Sequence, residues 1–197
     1  RDPRTVLLPA AIEPGIYTLE LGRRTVEGEW LTVRRGVIPL GSTYPLATVR
    51  VLGRERVLVP PTPEHPRAAT FGPGIRFLGY DLDLESGVRM TLYWQPVEPV
   101  TEQYKIAVHV LGDGGPGDIR TQADAYPRLP TTSWLPGEYL ADVVKLDLPA
   151  GVERDGGKYT LWLALYDEAT GIRLPVYGED GTALGDGLVL DEGTLGE

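Results

Sequence analysis

The sequence predicts an all-β protein: an antiparallel two-sheet β-sandwich, Ig-like or jelly-roll-like, preceded by a partial repeat of the same unit. Three observations carry this. Apolar residues alternate with polar ones at period two, the side-chain period of a half-buried strand. Gly (25) and Pro (18) are dense among the 197 residues and divide the apolar runs with turns. Two distant stretches echo each other, and an internal repeat governs how everything else is read.

The alternation is explicit. Tyr17, Leu19 and Leu21 alternate with Ile16, Thr18 and Glu20. Met90, Leu92 and Trp94 alternate with Arg89, Thr91 and Tyr93. Ile106, Val108 and Val110 alternate with Lys105, Ala107 and His109, and Leu161, Leu163 and Leu165 with Trp162, Ala164 and Tyr166. Asp-Gly pairs at 113–114, 155–156, 180–181 and 186–187 read as turns, as do Glu85-Ser86-Gly87 and Thr170-Gly171. The spacing predicts strands over 5–8, 15–22, 29–34, 46–52, 55–59, 69–84 with a break near Gly72-Pro73-Gly74, 88–95, 103–111, 119–123, 139–148, 157–166, 172–177 and 187–191. No helical-period segment survives the Pro and Gly spacing. Residues 60–67 hold four prolines, which favour an extended polyproline II linker and argue against a central strand.

The repeat sets the domain reading. Pro9 matches Pro149, Glu13 matches Glu153, Gly15 matches Gly157, and Tyr17-Thr18-Leu19 matches Tyr159-Thr160-Leu161, with Asp155-Gly156 as the added loop residues. The echo continues as Leu31-Thr32-Val33 against Leu174-Pro175-Val176, then Leu40-Gly41 against Leu184-Gly185. Residues 1–59 read as the closing strands of one unit, 60–67 as linker and 68–197 as one complete sandwich. A fragment as small as 1–59 buries too little surface to stand alone. Its open strand edge predicts a homodimer through the N-terminal partial unit.

Composition excludes several function classes. The formal net charge of −9 and the lack of any Lys/Arg cluster exclude nucleic acid and anionic headgroups as partners. There is no Cys, so no disulfide framework or cysteine nucleophile can form. Asn is absent, Met occurs once and Arg far outnumbers Lys, a pattern that suits a heat-adapted source. No apolar run approaches the ~20 residues of a membrane span, so direct insertion of this chain is not expected. A chain that starts at Arg1 reads as an excised soluble piece of something longer.

Catalytic chemistry is thinly represented. Ser42, Ser86 and Ser133 are the serines, and His65 and His109 the histidines. No nucleophile elbow, His-Glu-Xaa-Xaa-His or phosphate loop occurs, so no catalytic residue is assigned and no cofactor is expected. His65 reads as solvated in the proline stretch. Asp81, Asp83 and Glu85 share one strand face and read as solvated carboxylates. No metal site is predicted, and Asp113 and Asp118, flanking a Gly-rich turn, are the weak Ca²⁺ candidates. Aromatic rings are the better clue, because indole and phenol faces stack on sugars. Trp94 falls on a core face, Trp162 on an outer one, and Trp134 in a loop as either a plug or a binding platform.

Residues 71–191 carry a resemblance. Phe71-Gly72 with Ile75–Asp81, Leu92-Tyr93-Trp94, Ile106–Leu111, Gln122-Ala123-Asp124 with Pro127, Thr132-Ser133-Trp134-Leu135-Pro136-Gly137-Glu138, Tyr159–Asp167, Thr170-Gly171 and Arg173–Val176 follow in order. This series resembles the extracytoplasmic β-sandwich of bacterial membrane glycosyltransferases of the protein-mannosyltransferase type. The resemblance implies a non-catalytic accessory module of a larger exported or membrane-anchored protein, located outside the cytoplasm. It implies no catalytic residue here, since catalysis in such parents belongs to the membrane portion. The candidate ligand-binding set is Trp134, Trp162 and Tyr126, with His109, Gln122 and Asp124, and the expected partner is carbohydrate or an acceptor protein. The alternative is a purely structural spacer of a multidomain surface protein.

Overall fold

The protein is seen in a computed structural model that describes residues 6, 8–9, 11–83, 88–147 and 158–194. The predicted turns at Glu85-Ser86-Gly87 and Asp155-Gly156 lie outside the described residues, as do the matches at Pro149, Glu153 and Gly157 and part of the 5–8 run. All sheets are antiparallel and none closes into a barrel. Among the described residues no helix is long and apolar enough to cross a membrane. The chain divides into two compact units, Arg1–Glu55 and Arg56–Glu197.

Among the described residues the first unit has four strands: β1 (Gly15–Gly22), β2 (Val33–Arg35), β3 (Ile38–Gly41) and β4 (Thr43–Val51). β1 pairs with β4, and β2 with β3. The described residues of the second unit form ten: β5 (His65–Phe71), β6 (Ile75–Asp83), β7 (Val88–Pro96), β8 (Tyr104–Leu111), β9 (Ile119–Ala125), β10 (Leu140–Leu146), β11 (Lys158–Asp167), β12 (Val176–Tyr177), β13 (Ala183–Gly185) and β14 (Leu188–Thr194). They form a six-stranded sheet ordered β10-β7-β6-β5-β12-β13 and a four-stranded sheet ordered β14-β11-β8-β9. The two sheets share one core, a two-sheet sandwich as the period-two pattern requires.

The core is built from the predicted faces. Phe71, Phe77, Met90, Leu92 and Trp94 come from the six-stranded sheet, and Ile106, Val108, Leu163 and Leu165 from the four-stranded one; all are buried. Trp94 is the hub of an aromatic cluster. Its ring centroid lies 5.0 Å from Phe77, 5.7 Å from Phe71 and 6.2 Å from Trp134. Trp134 is 1% exposed. Of the two readings of Trp134, plug and binding platform, its burial selects the core plug. A short 3-10 turn, Thr131–Ser133, turns the indole inward, and its Nε1 donates to Leu129 O at 3.0 Å. Buried Thr131 anchors the turn: its hydroxyl donates to Glu102 O at 2.6 Å and accepts from Tyr104 N at 2.9 Å. The following Glu138, fully buried, accepts from Leu135 N at 2.7 Å, and Arg56 Nε lies 3.5 Å from its other oxygen.

The proline-rich stretch differs from expectation. β5 begins at His65 and lies between β6 and β12. Pro66 is tolerated because β12 pairs only with Thr70 and Phe71, and because the β5–β6 register shifts between Pro66 and Ala69. Opposite Pro66 stands Gly79 at φ 142°, where an added Cβ would lie 2.4 Å from His65 O. Only glycine permits that approach. His65, expected to be solvated, stacks on Tyr80 with centroids 4.7 Å apart. The strand expected over 55–59 is reduced to a single bridge between Val57 and Tyr139.

The sequence echo has a three-dimensional counterpart. β1 and β4 pair as β11 and β14 do, and the register shift falls at Leu19/Glu20 in one and at Leu161/Trp162 in the other. The strand β1 leads into a turn bridged by Arg24 and Trp30; β11 leads into one bridged by Tyr166 and Arg173. Leu31 N donates to Arg23 O at 2.9 Å, and Leu174 N to Leu165 O at 2.8 Å. Val33 then pairs with Gly41 and Val176 with Gly185, each followed at once by a register shift. Gly41 and Gly185 have φ of 108° and 112°, a conformation side chains resist. β3 and β13 were not anticipated, since strands of three or four residues carry no readable period.

Burying a large indole in this cluster predicts a large truncation cost. Trp134→Ala should destabilise the second unit by about 3–5 kcal/mol. Trp162→Ala, on the outer face, should cost about 1 kcal/mol. Urea unfolding followed by far-UV circular dichroism measures both, and equal costs would refute the plug assignment.

Candidate functional site

Five of the six candidate binding residues lie on the outward face of the four-stranded sheet. Antiparallel pairing aligns them in rows. Trp162 on β11 stands opposite His109 on β8, which stands opposite Gln122 on β9. The next row is Ala164, Ala107 and Asp124. The third pairs Tyr166 with Lys105, and Tyr126 follows directly after β9. Ile106, Val108, Leu163 and Leu165 point the other way into the core, so period two alone sends this set outward. Ala107 and Ala164 are small and buried, forming a low floor between larger neighbours.

The Trp162 end is aromatic. The His109 and Trp162 ring centroids are 5.4 Å apart, tilted by 40°. The Arg173 guanidinium lies 4.9 Å from the Trp162 ring centre and pairs with Asp186 at 3.1 Å. The indole lies against the backbone at Gly187, where a Cβ would come within 2.0 Å of it. Any side chain there would displace the ring. His109 Nε2 is 3.9 Å from Asp124 Oδ2, beyond hydrogen-bond range.

The Tyr126 end is a charged network. Glu168 accepts hydrogen bonds from Lys105 Nζ and from the Tyr126 hydroxyl. Lys105 also lies 4.8 Å from the Tyr126 ring centre. The Lys105 hydrogen bond, then that of Tyr126, holds the Glu168 carboxyl below its ordinary range. The same contact raises the Lys105 ammonium, and the Glu168 carboxylate raises the Tyr126 phenol. Burial, then the nearby Asp124 carboxylate, raises Tyr166. Tyr126 is 49% exposed, and Trp162 and Tyr166, on either side of Ala164 along β11, are half-buried. Lys105, Tyr166, Glu168 and Arg173 were not singled out from sequence. For Lys105 and Tyr166 the signal was present, since each shares the alternation phase of a residue that was.

The remaining candidates lie elsewhere. Trp134 is in the core. Asp113 accepts from Lys158 N at 3.1 Å, while Asp118 pairs with Arg120 Nε at 3.0 Å and accepts from Gly114 N at 3.2 Å. Both carboxylates thus already accept hydrogen bonds from backbone groups at or beside this turn. Among the described residues no group of three His, Asp or Glu side chains is set to hold a metal ion. Asp81, expected as a solvated carboxylate, accepts from the Tyr93 hydroxyl at 2.5 Å and from Glu64 N at 2.8 Å. The Tyr93 phenol is pushed up to about 12, first by that hydrogen bond and then by burial. Ser133 Oγ donates to Pro130 O at 2.7 Å.

Burial lowers the His109 pKa below 6.5; Asp124 opposes this and Arg173 reinforces it. The folded chain therefore binds fewer protons at this site than the unfolded chain. The stability tied to neutral His109 is present above about pH 6.5 and declines as pH falls below it. NMR titration of His109 should give a midpoint below 6.5, and His109→Gln should flatten the stability loss between pH 6.5 and 5. A midpoint at or above 6.5 would contradict this environment.

Compared with known proteins, the chain matches no protein-family model, no curated protein and no solved structure.

Proposed function

We propose that the chain is a non-catalytic module that recognises carbohydrate on the outer face of its four-stranded sheet. In the terms of the resemblance, it would serve as an extracytoplasmic accessory domain of a larger exported or membrane-anchored glycosyltransferase. One observation carries the reading: Trp162, His109, Gln122, Asp124 and Tyr126 gather on a single sheet face. Flat aromatic area offers stacking to the apolar faces of sugar rings. Gln122, Asp124 and Lys105 supply amide, carboxylate and ammonium groups of the kinds that bind ring hydroxyls. The Arg173 guanidinium lies over Trp162, so a sugar stacking on that indole would have to displace it or share the ring.

A second reading, a structural spacer, is favoured by the duplicated strand pairing of the first unit. The two part on one measurement. Titration with neutral oligosaccharides, followed by backbone NMR shifts, should perturb 105–109, 122–126 and 162–166 with sub-millimolar affinity. Trp162→Ala and Tyr126→Ala should each weaken that binding about tenfold, the loss of roughly 1.4 kcal/mol expected when a stacking ring is removed. No shifts at millimolar sugar, or affinity unchanged in both variants, would leave the spacer reading standing.

A further inference from the structure

The first unit has the framework of the second unit's closing strands, but among its described residues none is buried. β1, β2, β3 and β4 reproduce the pairing, register shifts and turn of β11, β12, β13 and β14. In the second unit those strands are covered. β11 pairs along its other edge with β8, and β12 with β5. In the first unit, among the described residues, the corresponding edges of β1 and β2 have no strand beside them.

The apolar positions have nonetheless been kept. Leu163 is 0% exposed, and Leu21, its counterpart, is 58% exposed. Leu188 and Leu190 are 2% and 8% exposed, against 45% and 54% for their counterparts Tyr44 and Leu46. Val33 stands where buried Val176 stands, opposite a left-handed glycine in each case. Exposed apolar residues at core positions of a repeated framework mark a face built to be covered.

We infer that β1 to β4 are half of a second sandwich, whose other half is a separate sheet segment of the β5–β10 kind carried on the same polypeptide ahead of residue 1. The register of the missing contacts follows from the second unit. Leu161 and Leu163 of β11 stand opposite Val110 and Val108 of β8, so Leu19 and Leu21 take two β-branched partners on an antiparallel strand. Val176 of β12 stands opposite Phe71 of β5, so Val33 takes an aromatic. A second copy of this chain is a poorer source. Its own β5–β10 strands already cover β11–β14, and lending them would uncover as much as it covers.

The test compares the 197-residue chain with the polypeptide extended to include the residues encoded before position 1. Hydrogen exchange at the β1 and β2 amides should slow at least tenfold in the extended form, and binding of the apolar dye ANS should fall. Leu21→Ala should lower the thermal midpoint of the extended form and leave that of the 197-residue chain unchanged. Three outcomes overturn the inference: a coding sequence with no such segment, equal exchange in both forms, or protection that appears in the 197-residue chain only as concentration rises and dimers form. The last would make a second copy the occupant.

Discussion

The second unit depends on the contact between Trp94 and Trp134. Trp94 projects from β7 and meets Phe77 from the adjacent strand β6 and Phe71 from β5 beyond it. Trp134 comes from a loop between strands of opposite sheets, β9 and β10, and closes the cluster. Placing a loop indole there requires a tight turn, a hydroxyl that ties the turn to 102–104, and a buried carboxylate that caps its exit. Thr131 and Glu138 supply these. The run Thr132–Glu138 thus combines polar and aromatic residues for an architectural reason. Its chemistry lies in satisfying buried backbone groups.

That explains which parts of the molecule the sequence could reveal. Period two is a local property, and it placed Ile106, Val108, Leu161 and Leu163 inward and Trp162 and His109 outward. That Gln122, Asp124 and Tyr126 share this outward face is shown by the pairing of β8 with β9 and was not read from the sequence. Trp134 was ambiguous because a loop has no period, and the groups that turn it inward, the remote Glu102 and the nearby Leu129 carbonyls, are not marked by spacing. β3 and β13 escaped for another reason: their existence rests on a paired valine and glycine, not on alternation. The proline stretch misled because the ban on proline in a central strand applies only where a neighbour needs its N–H. At Pro66 the second neighbour has not yet begun.

The outer face of the four-stranded sheet joins two kinds of order. At one end a rigid indole rests on glycine backbone beside a half-buried imidazole. At the other, a carboxylate is shared by an ammonium and a phenol, and all three lie near solvent. The first arrangement is fixed by shape and changes little with salt. The second is electrostatic and weakens as salt rises. Any ligand on this face would meet a firm aromatic surface and an adjustable polar one. The Ala107–Ala164 floor keeps the two apart without a ridge between them.

The pairing of Arg56 with Glu138 has a consequence for where the second unit starts. Judged by strands, it begins at His65, and the prolines before it resemble a disposable tether. Yet Arg56 stands before those prolines, its Nη2 donates to Pro136 O at 3.1 Å, and Val57 accepts from Tyr139 N. The leading end of the tether is therefore fastened to the loop that carries the plug. A protease that cut within the prolines would leave every strand of the sandwich in place and leave Arg56, beside a carboxylate sealed inside it, held to the loop by non-covalent contacts alone. The functional edge of this unit is an arginine in the connecting segment, ahead of any sheet.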